Sequence, residues 1–240
     1  LALTYQAQGQ QTKARETAEL AISHAMSTMN KPYLQLAQAF QAELFLRQGN
    51  AVEPGLWATT FSSEPFRTEI HNYAPQLTLV KWHLAQRSTE SLIKADELLA
   101  KLHAFYISIH NRYFVIESLL LQALVFDFQG HEKDAFDKLS ESLPLLEHSA
   151  LIRPFLDLGQ PMFDLLNRLA KRKRDIKYTG KWLTAFREDL YSRGAGIQSH
   201  PTSATEPGRS GDIMESLSRR ELEVLALLAQ RLSNKEIGVK

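Results

Sequence analysis

The residues of this 240-residue chain whose types and spacing could do chemistry point to recognition, not to bond breaking. Gly194-Ala195-Gly196 is the nearest approach to a phosphate-binding loop. It lacks the loop's spacing and the Gly-Lys-Ser/Thr that should follow, so it reads as linker. No nucleophile-elbow motif supports Ser/His/Asp catalysis. The 8 histidines are scattered. His103 and His110 could share one helical face two turns apart, whereas helical metal ligands more often stand three or four residues apart. With no cysteine in the chain, disulfides and Cys-ligated zinc are excluded. No catalytic residue, metal or cofactor is therefore expected here. What remains is a set of polar side chains at repeated positions, Gln6, Glu43, Arg47, Glu117 and Asp127, and a polar pair near the far end, Asn234 and Lys235.

The elements that would carry them are helices. Leu, Ala, Gln, Glu and Lys are plentiful, whereas Gly (11) and Pro (9) are scarce. Ala2, Tyr5, Gly9, Ala14, Ala18 and Ala21 form a pattern whose first half recurs 40 residues later as Ala42, Phe45 and Gly49. Ala123, Phe126, Gly130, Ala135 and Leu139 repeat most of it about two further periods along. The small residue admits a neighbouring helix and the aromatic one turn later fills the gap between units. The glycine then ends the helix, because it takes the left-handed backbone without penalty. A more degenerate unit lies between, with helices expected at about Pro75 to Gln86 and Thr89 to Ile109. Pro54, Gly55 and Pro65 break any long helix between Asn50 and Tyr73.

Such hairpins cannot bury their apolar faces singly, so they must stack into a tetratricopeptide-like superhelix. The first helix of each hairpin would line a concave groove. By repeat phase, Gln6, Glu43, Arg47, Glu117 and Asp127 lie on those helices and could face it. Trp82, Trp182, Phe105, Tyr106, Tyr113 and Phe114 read as core filling. A helix from about Pro161 to Lys173 and a short one carrying Trp182, Phe186 and Leu190 should close the stack.

The net charge is only +1, but Arg168 to Lys181 holds seven basic residues against Asp175. Lys171-Arg172-Lys173-Arg174 reads as a solvated helix end whose cations complement the helix dipole, or alternatively as a phosphate contact. From Ser192 Gly, Pro, Ser and Thr dominate, as in a flexible linker. Beyond it Ser218 and Glu221 form a capping box flanked by Leu217 and Leu222, and Ser233-Asn234-Lys235-Glu236 forms a second. Two capped helices so closely joined open a helix-turn-helix. The expected organisation is a helical-repeat domain (1–191), a linker (192–216) and an incomplete helix-turn-helix (217–240). Leu1 to Tyr5 already lies inside a helical pattern and Lys240 falls within a capped helix, so both ends are expected to be internal to a longer polypeptide.

Leu217 to Leu225 and Ser233 to Ile237 resemble the LuxR-type DNA-binding domain. Glu221, Val224, Leu225, Leu228, Asn234, Lys235, Glu236 and Ile237 stand where that family's pattern has them; Gly238 departs from its usual Ala. Upstream, Ile116-Glu117, Leu121-Gln122-Ala123-Leu124 and Arg153-Pro154-Phe155-Leu156-Asp157 resemble the repeat region of large MalT-like LuxR regulators. The resemblance implies a cytoplasmic transcriptional regulator with an NTP-binding domain ahead of the repeats. It implies an inducer or regulatory protein in the groove, DNA bound by the whole protein, a possible homo-oligomer and no membrane contact. Only Asn234 and Lys235, at a helix start, would touch DNA phosphate. The alternative is a scaffold whose repeats only join proteins.

Overall fold

The computed structural model describes residues 1–64, 66, 73–147, 152–172 and 179–195. Asn234, Lys235 and the whole segment 217–240 lie outside the described residues. Every regular element among the described residues is helical: α1 (Ala2–Ala7), α2 (Gln11–Ser27), α3 (Lys31–Arg47), α4 (Gly55–Thr60), α5 (Pro75–Gln86), α6 (Thr89–Ser108), α7 (Arg112–Phe128), α8 (Glu132–Glu147), α9 (Arg153–Leu156), α10 (Gly159–Arg172) and α11 (Thr179–Ala195).

Local sequence sets these boundaries. Asn30, Ser88 and Asn111 cap α3, α6 and α7 by accepting from the backbone N–H groups of Tyr33, Ser91 and Phe114, at 3.1, 3.2 and 3.2 Å. The repeated aromatic-to-glycine spacing is a helix stop. Gly9, Gly49 and Gly130 have φ of 74°, 79° and 82°. The next residue in each case, Gln10, Asn50 or His131, donates back to the carbonyl of Tyr5, Phe45 or Phe126. This is the six-to-one bond of a Schellman turn. One expectation is corrected by the same device. α6 ends at Ser108, and His110 sits in the following turn at φ 54°, so His103 and His110 share no helical face.

Consecutive helices from α1 to α8 and from α9 to α11 pack against each other, and α3 also touches α5, α5 touches α7 and α7 touches α10. Contacts between alternate helices define an inner layer, as a repeat superhelix requires. Close approach rests on alanines: Ala14, Ala18, Ala39, Ala95, Ala123 and Ala135 are all fully buried. A small apolar cluster of Ala2, Ala14, Ala18 and Leu44 joins α1 to α3, and a continuous one runs from α5 to α11. At the far end Phe155 lies edge-on to Trp182 at 5.6 Å and 4.9 Å from Phe186, which seats α11 over α9 and α10. The closing helix is 17 residues long, not short, and continues past Ser192 to Ala195. The described helices all fall in one compact unit, Leu1–Ser199.

Candidate functional site

The inner helices place charge where a solenoid would ordinarily bury only carbon. Glu43 of α3 is 2% exposed. Its Oε1 accepts from Arg47 Nε and Lys81 Nζ, both at 2.8 Å, and its Oε2 accepts from the Thr78 hydroxyl at 3.0 Å. Lys81 of α5 reaches on to Glu117 of α7 at 2.8 Å. Arg47 also pairs with Asp157, which follows α9 and lies 110 residues away in sequence. Asp157 holds Arg153 at 2.9 Å, and Arg153 holds Asp189 of α11 at 2.8 Å. The wall thus ties α3, α5, α7, α9 and α11 together through alternating charges.

Burial works against ionising Glu43, but the charges of Lys81 and Arg47, and their hydrogen bonds, outweigh it and hold its pKa at about 2. Burial likewise opposes the Lys81 ammonium, yet Glu117 and Glu43 push its pKa above the ordinary lysine value. Arg47 is held charged in the same way by Glu43 and Asp157. Burial, then the charge of Glu43, pushes the Tyr73 phenol up, so it stays protonated and shares a 3.1 Å hydrogen bond with Thr78. The cluster is ionic and closely balanced: Arg47, Lys81 and Arg153 face Glu43, Glu117 and Asp157.

These side chains wall a cavity of about 400 Å³ on the inner face of α1, α3, α5 and α7, lined also by Arg153 and Asp157. Gln6, Glu43, Arg47 and Glu117, four of the five groove positions expected from repeat phase, line it together. Asp127 does not. It pairs with Arg168 of α10 at 2.6 Å in a separate depression lined also by Arg87, Phe128, Gln160 and Asp164.

Within the cavity the roles divide. Both oxygens of Glu43 are engaged, so it is an anchor. Gln6 Oε1 accepts from Gln48 Nε2 at 2.8 Å, which leaves the Gln6 amide N–H groups. Arg47 Nη2, one Lys81 proton, Glu117 Oε2 and the Tyr113 hydroxyl also have no partner among the described residues. Sequence reasoning passed over Lys81 and Tyr73, and it noted Arg153 and Asp157 only within a motif of family resemblance; Tyr113 packs against the core, as expected, and also forms part of the cavity wall. A signal for Lys81 was present. It is the only Lys, Arg, Asp or Glu in α5 and lies among Leu77, Leu79, Val80 and Leu84, where an unpaired ammonium would be intolerable. The motif holding Arg153 and Asp157 gave no sign of their ion pairs, because those partners come from α3 and α11.

No group of three or more His, Cys, Asp or Glu among the described residues has the geometry of a metal site. The basic run contributes Arg172, which pairs with Glu132 of α8; Lys173 and Arg174 lie outside the described residues.

Stacked helical hairpins with a charged inner face define a helical-repeat domain. A model of the MalT-like TPR region matches residues 1–172, and the chain belongs to that family. Comparison with curated proteins found no match, and neither did comparison with solved structures.

Proposed function

We propose that this chain is the sensor region of a transcriptional regulator and takes a small polar inducer into the cavity between α1, α3, α5 and α7. The observation that carries the reading is the convergence of unspent hydrogen-bonding groups on one concave space. About 400 Å³ lies within the roughly 300–1,000 Å³ of small-molecule sites. A concavity of that size suits a small ligand. The ion network supplies fixed donors and acceptors already desolvated and oriented, so a ligand meets little reorganisation on binding. No group in the cavity is activated as a nucleophile, and the role we assign is recognition, not catalysis.

The regulatory half of the proposal rests on residues 217–240, whose paired capping boxes resemble the opening of a LuxR-type reader of DNA. In the whole protein Asn234 and Lys235 would contact phosphate, and an NTP-binding domain would precede the repeats. No helix among the described residues is long and apolar enough to cross a membrane.

A thermal-shift screen of sugars, amino acids and acyl signals tests the sensor reading. A ligand at about 100 times its dissociation constant adds roughly 2.7 kcal/mol of stability. Ala7 is exposed at the cavity wall, so Ala7→Trp should fill the space without disturbing the core. The expected hit stabilises the parent and not A7W. Hits that stabilise both equally, or no hit at all, would turn the reading toward a protein partner.

A further inference from the structure

The inner face continues beyond the ion cluster. Glu43, Arg47, Lys81, Tyr113, Glu117 and Asp157 also form the polar end of a second chamber, of about 230 Å³. Its other wall is apolar, built from Leu46, Leu84, Leu121, Leu124, Phe128 and Leu158. Arg87 lines this chamber and the adjoining depression that holds Asp127 and Arg168.

Arg87 closes α5 in the left-handed backbone, as Met29 closes α2 and His110 closes α6. Helices α1, α3 and α7 each end on a left-handed glycine, but α5 ends on Arg87 at φ 53°. A side chain in that backbone region is uncommon, and what sets Arg87 apart is where its side chain lies. The guanidinium carbon lies 4.3 Å from the Phe128 ring centroid, a cation–π stack. No carboxylate among the described residues engages it. The nearby Asp127 is taken by Arg168 at 2.6 Å, and Asp164 accepts from Gln160 at 2.8 Å. Stacking fixes the guanidinium plane and leaves its N–H edge for a planar acceptor.

We propose that the second chamber is a distinct binding site for a small carboxylic acid with a short apolar tail, the carboxylate on the edge of Arg87 and the tail against Leu84, Leu121, Leu124 and Phe128. The two halves of the site select together. A neutral head group forfeits the charge-assisted pair, and a polar tail finds no partner on the leucine wall. The volume lies below the roughly 300 Å³ at which drug-sized pockets begin, which limits the tail to a few carbons. This site stands apart from the sensor reading of the first cavity.

Titration calorimetry of the whole 240-residue chain with hexanoate, hexanamide and acetate tests it. Hexanoate should bind saturably, and the amide and acetate about ten-fold or more weakly. Arg87→Gly and Arg87→Asn both suit a left-handed backbone, so each should fold while weakening hexanoate by about ten-fold or more. A7W should leave hexanoate binding unchanged, which separates this chamber from the first. Equal affinity for hexanoate and hexanamide would overturn the proposal. So would hexanoate binding that survives in both Arg87 variants, is lost in A7W, or fails to saturate with the parent at millimolar concentration.

Discussion

Replacing Glu43 by Gln tests the physical core of the site. The amide keeps the shape of the side chain but removes the charge that answers Lys81 and Arg47, at a position 2% exposed. Two routes give the size of the loss. Holding a carboxylate at about 2 against its ordinary 4.5 is worth about 3 kcal/mol at neutral pH. Stripping one partner from a buried pair costs about 3–5 kcal/mol, because the other charge is left uncompensated. Both place E43Q about 3 kcal/mol below the parent at pH 7, or about 6–12 °C in melting temperature for a unit of this size. The sign of the pH dependence follows from the lowered pKa. The contribution of Glu43 is complete above its unfolded value near 4.5 and is lost as pH falls toward about 2. The gap between parent and variant should therefore hold from pH 7 to 5 and shrink to about 1 kcal/mol by pH 3. Urea unfolding of both proteins at pH 7, 5 and 3 measures it directly. A variant as stable as the parent at pH 7, or a gap that does not narrow in acid, would refute the claim that Glu43 is an ionised anchor.

Gly49→Ala should cost about 1 kcal/mol in urea melts, all of it backbone strain, because an added Cβ at Gly49 meets nothing within 4 Å. Asn111→Ala removes the cap on Phe114 N–H and should cost about 1 kcal/mol, recovered largely by Asn111→Ser. Phe155→Ala opens a void beneath Trp182 and Phe186 and should cost about 3–5 kcal/mol. A red shift in tryptophan emission before global unfolding would report the loosened α11; unchanged emission and stability would show that the helix is seated by other contacts.

The aromatic-to-glycine spacing forecast three helix stops, and each proved to be a left-handed glycine closed by a bond to the aromatic's carbonyl. Capping and helix termination are local, set by a few adjacent residues, so single-sequence reading reaches them. Repeat phase assigned Gln6, Glu43, Arg47 and Glu117 to the inner helices, and those four meet at one cavity. Asp127 lies farther along, because phase fixes the face of a helix and not the position along the groove. Asp127 lies near the end of α7, beside α10 and away from α3.

The sequence by itself determined the elements: where helices begin and stop, which face of each is apolar, and that such units must stack. These follow from side chains within one or two turns of each other. Only the tertiary structure decided that the stack curls far enough to bring Asp157 onto Arg47, which gives the groove an ionic wall. It also decided that Arg87 rests on Phe128 in place of a carboxylate. Curvature accumulates from small rotations between successive hairpins, and each rotation depends on packing across the whole interface. No short window of residues encodes it.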